Sequence, residues 1–308
     1  TGPLASGLAS AVGMAIGQKQ LQARLGGDDC LFDQKIYVLS GDGCMMEGTS
    51  HEACALAGHL QLDNLIVFYD DNGITIEGST EIALSEDVGA RFAAYGWNVL
   101  RIDGQNTKQI RNALNLARTL KNKPTLIIGR TVIGTGSPKL AGSSESHGAP
   151  LGVEELAATK ANLGFDPAQS FFVPPEVRAF CQETVAAKKK AAAAWNEKFA
   201  SFSAGLTPER RELLSALRNR TVPANILSEL LKAVPAKPTA TRNSGGEIMQ
   251  NAAALVPALV GGSADLNPST KTYLKGAGDF GAADRAGRNI HYGVRELGMG
   301  MISNGLAL

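Results

Sequence analysis

The feature that most constrains the fold is a pair of continuous apolar segments separated by a helical pattern. Residues 35–40 (KIYVLS) predict a buried strand. Residues 64–70 (NLIVFYD) predict a second one, and they are too continuously apolar to have one face in water. Between them, residues 47–60 have helical spacing. A strand, a helix and a second strand in this order predict two neighbouring parallel strands.

The same alternation continues to residue 130 and then changes. Residues 85–95 and 108–119 predict helices, whereas residues 97–102 and 125–130 predict strands. We therefore expect an α/β fold with a doubly wound parallel sheet, covered by helices on both faces. Residues 134–152 are rich in Gly, Ser and Pro and predict a long functional loop.

The second half of the chain predicts a connecting region and a further domain. Residues 176–202 are rich in Ala and Lys and predict a solvated helix, and residues 223–238 predict a linker. A second α/β pattern begins near Arg242, with a helix predicted at residues 246–254 and another starting at Glu296. We expect a first domain over residues 1–187, a helical linker over 188–240 and the start of a second, incomplete α/β domain over 241–308.

Composition and charge exclude several classes of protein. The net charge of +1 offers no field that would recruit nucleic acid or an anionic membrane. No apolar run is long enough to span a membrane, and residues 4–16 predict a close-packed helix rather than a signal peptide. The cysteines show no CxxC spacing, which indicates reduced thiols and a cytoplasmic protein: Cys30, Cys44, Cys54 and Cys181.

Polar residues follow the first two predicted strands, at the point where each strand ends. Asp42 lies in the turn at residues 41–43 (GDG), and Asn72, followed by Gly73 and Ile74, comes after the next strand. Because the carboxyl ends of neighbouring parallel strands meet at one edge, we expect these residues to lie close together. The Asp42 carboxylate, the Asn72 carboxamide oxygen and the Ile74 carbonyl are donors that suit Mg²⁺ bound to a diphosphate, with Ca²⁺ as a substitute ion.

A GDG sequence alone is most often only a tight turn. Its pairing with a helix, an apolar strand and Asn72 is the diphosphate and metal signature of thiamine diphosphate enzymes. A dinucleotide site is not indicated, because no GxGxxG follows a strand with an acidic residue beyond the next strand. A phosphate-binding Walker loop is absent from the sequence as well.

Further segments narrow the family. Five of them resemble transketolase motifs and occur in the family's order: residues 41–51 (GDGCMMEGTSH), 69–76 (YDDNGITI), 146–152 (SHGAPLG), 261–269 (GGSADLNPS) and 290–299 (IHYGVRELGM). The opening residues 1–4 (TGPL) are similar to another motif. The chain thus resembles the front half of a transketolase, the thiamine diphosphate-binding domain with the start of the pyrimidine-binding domain.

The resemblance implies a role for each matching position. Asp42, Asn72 and the Ile74 carbonyl would hold Mg²⁺, and His147 would contact both cofactor and sugar and take part in catalysis. Glu296 would be the catalytic glutamate, a role that requires a buried carboxyl with a raised pKa. The remaining implied residues are Gly2, Pro3, Leu4, Gly43, Asn72 and Asp265 for the cofactor, and Arg242 and Ser269 for the substrate phosphate.

The implied reaction belongs to the pentose phosphate pathway: a two-carbon ketol unit is transferred from a ketose phosphate to an aldose phosphate. The resemblance also implies a homodimer with the active site at the subunit interface. Glu296 would then serve a cofactor held by the other chain. Leu297 departs from the family, because relatives commonly have a ring-bearing residue at this position.

Two alternatives stay open. One is a sister thiamine enzyme, either dihydroxyacetone synthase or deoxyxylulose phosphate synthase. The loop carrying His147 and residues 264–269 (ADLNPS) favour transketolase over the second, but separate the first poorly. The other alternative is a catalytically silent cofactor-binding fragment, since both ends of the chain look cut and the family's chains are longer.

Overall fold

The computed structural model describes residues 2–26 and 31–308. Thr1, which opens the motif of residues 1–4, and Cys30, one of the expected thiols, lie outside the described residues. In the described part, Cys44, Cys54 and Cys181 are free thiols. The same part of the chain contains no helix that is both long and apolar enough to cross a membrane.

A four-stranded parallel sheet forms the centre of the first region. The strands are β1 (Ile36–Gly41), β2 (Leu65–Asp71), β3 (Asn98–Asp103) and β4 (Thr125–Arg130), in the order β1-β2-β4-β3. Val38 pairs with Val67, and Val67 with Leu126, so the carboxyl ends of the strands share one edge. The predicted adjacency of the first two strands is confirmed, but the prediction that β1 is buried was wrong. β1 is an edge strand, and Tyr37 and Leu39 are 52% and 86% exposed on one of its faces.

The first region contains the helices α1 (Ser6–Leu25), α2 (Asp42–Met46), α3 (Gly48–His59), α4 (Val88–Ala94), α5 (Thr107–Thr119) and α6 (Val153–Asn162), and helices pack on both faces of the sheet. Val67 and Leu126 pack with apolar residues of α1, α3 and α4 on one face. Ile66 and Ile127 alternate with them and pack against α5 on the other. The doubly wound parallel-sheet prediction is confirmed.

Three helices connect the two regions: α7 (Pro175–Gly205), α8 (Pro208–Asn219) and α9 (Ile226–Leu231). No residue of α7 is buried, in agreement with the predicted solvated helix. The expected domain boundary between residues 187 and 188 falls inside α7, which continues through it as one helix. The division of the chain into three parts stays a prediction.

The second region contains α10 (Thr241–Leu255), β5 (Gly261–Ser263), α11 (Asn267–Thr270), β6 (Asn289–His291) and α12 (Glu296–Ala307), with β5 and β6 parallel. The predicted start of α10 at residue 246 was wrong. The helix begins at Thr241 and includes Gly246, where a Cβ would lie 2.8 Å from the Cβ of Lys271. Gly246 is therefore explained by close packing and not by a helix end.

The second region docks on the first through backbone contacts between α12 and α1. A Cβ added to Gly305 would lie 1.7 Å from the Ser10 carbonyl oxygen, and one added to Gly13 would lie 1.9 Å from the Ile302 carbonyl oxygen. Glycine at both positions thus lets the two helix backbones touch. Phe280, Ile290, Tyr292 and Ile302 join the same buried cluster as the sheet.

Polar contacts reinforce this docking. The Glu52 carboxylate on α3 accepts a hydrogen bond from the Gly298 N–H in the first turn of α12, at 2.7 Å. The Arg285 guanidinium donates to the carbonyls of Leu60 and Gln61, at 2.6 and 3.1 Å. The helix that starts at Glu296 is therefore fixed against the first region at its amino terminus.

Candidate active site

Asp42 occupies the carboxyl edge of the sheet. It follows β1 as the first residue of α2 and is only 3% exposed. Its carboxylate accepts hydrogen bonds from the Tyr69 hydroxyl at 2.7 Å and from the Gly73 N–H at 3.2 Å. Burial raises the pKa of Asp42, the Asp71 carboxylate adds to this, and the two hydrogen bonds oppose it. The carboxylate is thus held directly against the loop that follows β2.

That loop presents two further oxygen donors. The Asn72 carboxamide oxygen accepts a hydrogen bond from the Ile74 N–H at 2.9 Å. Ile74 forms an antiparallel bridge with Ser79, but the bridge's hydrogen bonds run through the flanking residues. Within the described part of the chain, no backbone N–H donates to the Ile74 carbonyl. The structure therefore brings together Asp42, Asn72 and Ile74, as the sequence predicted for the strand ends.

The chemistry of this donor set fits a magnesium diphosphate. One carboxylate, one carboxamide oxygen and one backbone carbonyl are hard donors, and Mg²⁺ is commonly held by few carboxylates together with substrate phosphates. The described residues include no cluster of three or more His, Cys, Asp or Glu that could hold a metal alone. A Cβ added to Gly41 would meet no atom within 4 Å, which leaves room for a phosphate beside the backbone.

The segment at residues 2–4 lies beside α2. A Cβ added to Gly43 would lie 3.2 Å from the Leu4 side chain, so these two predicted cofactor residues are neighbours. Leu4 is 44% exposed, and Gly2 and Pro3 are exposed as well. The start of the chain and the GDG segment thus form one wall next to Asp42.

A cleft of about 730 Å³ opens at the carboxyl ends of β2, β3 and β4. Asn72, Gly73 and Ile74 form one side of it, and the ends of β3 and β4, with residues that follow them, form the other. The remaining lining residues are Ser79, Ile102, Asp103, Gln105, Arg130, Thr131, Val132 and Gly142. The cleft therefore connects the metal-side loop to the loop of residues 134–152.

His147 lies in this second loop, directly after a 3₁₀ turn at Ser144–Ser146, and its side chain is exposed. The loop is braced by α6, because the buried Glu155 carboxylate accepts hydrogen bonds from the Ser137 hydroxyl and, at 2.9 Å, from the Lys139 N–H. These hydrogen bonds lower the pKa of Glu155. The loop that carries His147 thus has a fixed base and an exposed tip.

Two of the predicted site residues in the second region also come after the ends of parallel strands. Asp265 comes after β5, with a left-handed φ of 67°, and Glu296 comes after β6. Because β5 and β6 are parallel neighbours, both residues lie at the same edge. Arg242 lies in the first turn of α10 and Ser269 lies in α11, which packs against α10. All four side chains are exposed.

Glu296 is exposed in this single chain, so the buried carboxyl that its implied role requires stays a prediction. The first turn of α12 turns Glu296 and Leu297 outward, and Leu297 is 59% exposed. Gly298, Ile302 and Gly305 are the buried residues of the same helix. The inward face of α12 is thus used for docking on α1 and α3, which leaves the glutamate on the outer face.

Sequence reasoning missed three residues that support the site, Tyr69, Asp70 and Thr131. Tyr69 is 3% exposed and donates to Asp42. Asp70 accepts from Asn72, and Thr131 donates to Asp70. Tyr69 and Asp70 belong to the quoted segment of residues 69–76, so their polar character at a buried strand end was an available signal. The sequence gives no such signal for Thr131, because its closeness to Asp70 depends on β4 lying beside β2, which the sequence pattern does not indicate.

A parallel sheet whose strand ends present these donors is typical of a thiamine diphosphate-binding domain, and residues 1–223 match the family model described as "Transketolase, thiamine diphosphate binding domain". Residues 237–308 match "Transketolase, pyrimidine binding domain". The chain belongs to the transketolase family, which confirms the resemblance seen in the sequence.

Individual relatives agree. Chloroplastic transketolase of Zea mays is 44% identical over 312 residues, which cover 100% of this chain and 46% of the relative. Transketolase 1 of Escherichia coli (strain K12) is 44% identical over 317 residues, covering 100% and 47%. A mutant transketolase of Pichia stipitis in complex with xylulose 5-phosphate superposes with a TM-score of 0.92 at 42% identity, covering 99% of this chain and 46% of that one. The chain spans about half the length of the relatives it matches.

Proposed function

We propose that this chain provides the thiamine diphosphate-binding part of a transketolase, which transfers a two-carbon ketol unit from a ketose phosphate to an aldose phosphate. The observation that carries the proposal is the buried Asp42 carboxylate held against the loop of Asn72 and Ile74. Family membership over the whole chain supports it. When bound, thiamine diphosphate supplies the nucleophilic carbon that cleaves and forms carbon–carbon bonds.

The chain's own residues would hold the cofactor. Asp42, Asn72 and the Ile74 carbonyl would bind Mg²⁺, with Ca²⁺ as the substitute, and the diphosphate would complete the coordination. The wall formed by residues 2–4 and Gly43 would contact the cofactor, as would Asp265 and the exposed tip of the His147 loop. The donor set contains a single carboxylate, which leaves positive charge on Mg²⁺ that the diphosphate would balance. This supports a metal shared between the protein and the cofactor.

Sugar phosphates are the proposed substrates. Arg242 provides a permanent cation and Ser269 a hydroxyl donor, and this pair suits a phosphate group. Both are exposed on neighbouring helices, so a ligand can reach them. The Pichia stipitis enzyme has been solved in complex with xylulose 5-phosphate and sedoheptulose 7-phosphate, which supports this substrate class. His147 would contact the sugar.

A homodimer is the proposed assembly, with Glu296 serving the cofactor of the partner chain. The catalytic role asks for a buried carboxyl, yet Glu296 is exposed in the single chain. A partner surface over the outer face of α12 would supply the missing burial. Cytoplasmic location stays a prediction, because the relatives include both bacterial and chloroplastic proteins.

The test has two parts. Calorimetric titration of thiamine diphosphate should show binding that requires Mg²⁺ and is abolished by a chelator. Two-carbon transfer from xylulose 5-phosphate to ribose 5-phosphate should then depend on both Mg²⁺ and cofactor. Absence of Mg²⁺-dependent binding would overturn the proposal. Binding without transfer would favour the catalytically silent alternative over the transketolase activity.

A further inference from the structure

We infer that Asp70 and Thr131 are positioning residues that fix the carboxamide of Asn72, so that its oxygen and not its nitrogen faces the metal site. The inference rests on the proposed function, because it concerns the metal that the loop after β2 would hold. It adds two residues to the site: Asp70, which lies in β2, and Thr131, which directly follows β4.

The orientation of Asn72 follows from two contacts. Its Nδ2 donates to the Asp70 carboxylate at 3.3 Å, and its Oδ1 accepts from the Ile74 N–H at 2.9 Å. An ionised carboxylate can only accept, and a backbone N–H can only donate. The reverse orientation would place two acceptors together on one side and two donors on the other. Both contacts therefore select the same orientation of the carboxamide.

Asp70 is itself held in place. The Thr131 hydroxyl donates to its Oδ1, while its Oδ2 takes the hydrogen bond from Asn72. Thr131 is anchored in turn, because its N–H donates to the Asp71 carbonyl at 3.1 Å. The two oxygens of one carboxylate thus join the ends of β2 and β4. The chain of contacts runs from Thr131 to Asp70 and then to Asn72.

This arrangement has a chemical consequence for the metal. A carboxamide oxygen has two lone pairs, so Oδ1 can keep the Ile74 hydrogen bond and still offer one lone pair to Mg²⁺. The NH₂ group cannot ligate Mg²⁺, so a flipped carboxamide would remove one of the protein's three donors. Outer partners of metal ligands typically change metal affinity by about 10- to 100-fold when they are removed.

The chain offers a matched control. Asp103 ends β3 as Asp70 nearly ends β2, and it lines the same cleft. Its carboxylate accepts from the Gln105 N–H at 2.9 Å, and in the described part of the chain no hydrogen bond joins it to Asn72. Asp71 would be a poor control, since its charge acts on Asp42. Asp103→Asn thus removes a strand-end carboxylate without touching the proposed chain of contacts.

The test is calorimetric titration of Mg²⁺ at saturating thiamine diphosphate. We expect Asp70→Leu to weaken Mg²⁺ binding by about 10- to 100-fold. Asp70→Asn should restore most of the affinity, because its carboxamide can accept from Asn72 and donate to Thr131. Thr131→Val should give a smaller loss, and Asp103→Asn should match the unaltered chain. Thermal unfolding without ligand should show that both Asp70 variants stay folded. If Asp70→Leu does not, the comparison of Asp70→Asn with Asp103→Asn decides: a loss of Mg²⁺ affinity of about 10-fold or more in Asp70→Asn alone would overturn the inference.

Equal Mg²⁺ affinity in Asp70→Leu and the unaltered chain would overturn the inference, and so would a failure of Asp70→Asn to bind better than Asp70→Leu. If the unaltered chain shows no Mg²⁺-dependent binding, the proposed function fails instead. Nuclear magnetic resonance of asparagine labelled with ¹⁵N then decides the inference. The side-chain NH₂ signal of Asn72, identified by its loss in Asn72→Asp, should shift in Asp70→Leu and not in Asp103→Asn. An unshifted signal would contradict it.

Discussion

The two regions of the molecule treat their site residues differently. In the first region, Asp42 is buried and accepts hydrogen bonds from the Tyr69 hydroxyl and the Gly73 N–H. The Asn72 carboxamide oxygen accepts a hydrogen bond from the Ile74 N–H. In the second region, Asp265, Ser269 and Glu296 are exposed. The metal side of the site in the first region is therefore preformed by the chain itself, whereas the site residues of the second region have exposed side chains.

The difference follows from the sheets. In the four-stranded sheet, Asp42 and Tyr69 are buried at the carboxyl edge, where these two polar groups pair with each other. The sheet of β5 and β6 has only three residues in each strand, and Asp265 and Glu296, which follow these strands, are exposed. The second region gains its order from docking α12 on α1 and α3.

The largest expected effect is a difference in cofactor affinity between a variant of the first region and a variant of the second. Asp42→Asn removes the carboxylate from the donor set, so affinity for thiamine diphosphate in Mg²⁺ should fall by at least about 100-fold, which corresponds to about 2.7 kcal/mol. Glu296→Gln should change the affinity of the single chain by less than about threefold, because the side chain is exposed. Calorimetry of both variants checks this. Similar losses in the two would break the comparison.

The next effect concerns how the second region is held. Gly305→Ala would push a Cβ into the Ser10 carbonyl, so the free energy of unfolding should fall by about 1–3 kcal/mol. Gly300→Ala on the same helix is the control, because its Cβ would meet no atom within 4 Å, and it should stabilise by about 0.4–1 kcal/mol. Urea unfolding measures both. Equal stabilities would contradict the close packing of α12 on α1.

A smaller effect is expected at the amino terminus of α12. Glu52→Ala leaves the Gly298 N–H without its carboxylate acceptor and should cost about 1 kcal/mol of folding stability. Glu52→Gln keeps an acceptor but loses the charge that favours a helix amino terminus, so its loss should be smaller. Urea unfolding gives the stabilities, and amide hydrogen exchange should report faster opening at Gly298. Unchanged exchange there would exclude this cap.

The smallest effect concerns His51, a half-buried histidine of the first region. His51 contacts the Arg91 guanidinium and the Tyr95 hydroxyl, and burial together with the charge of Arg91 lowers its pKa. The unfolded chain therefore binds a proton at His51 more readily, so stability should fall as the pH drops below about 6.5. His51→Gln should flatten this dependence by less than about 1 kcal/mol. Urea unfolding at pH 7.5 and 5.5 checks it, and an unchanged slope would contradict it.

The sequence predicted the parts of the fold that depend on local pattern and the adjacency rule. Consecutive apolar strands implied that β1 lies beside β2. The closeness of Asp42 and Asn72 at the ends of these strands follows from that adjacency alone. The order β1-β2-β4-β3 did not follow from it, so the contact of Thr131 with Asp70 could not be predicted. The exposure of Glu296 was also out of reach, because it depends on which face of α12 packs on α1.

Helix starts were also predicted incompletely: one was placed too late in the sequence, and one helix was not predicted at all. The start of α10 was missed because Gly245 and Gly246 suggest a boundary, whereas tight packing against Lys271 explains Gly246 inside the helix. No element was predicted for α8, although Thr207 followed by Pro208 is a helix-start signal. In the structure the Thr207 hydroxyl accepts from the Arg210 N–H at 3.4 Å.

The preformed metal site at the edge of the first sheet is tested most directly by a crystal structure of the chain with thiamine diphosphate and Mn²⁺ in place of Mg²⁺. The anomalous difference map should show one strong peak within about 2.3 Å of three atoms: a carboxylate oxygen of Asp42, Oδ1 of Asn72 and the carbonyl oxygen of Ile74. A bound cofactor with its ion elsewhere, or with no ion beside Asp42, would contradict the assignment of this edge as the metal site.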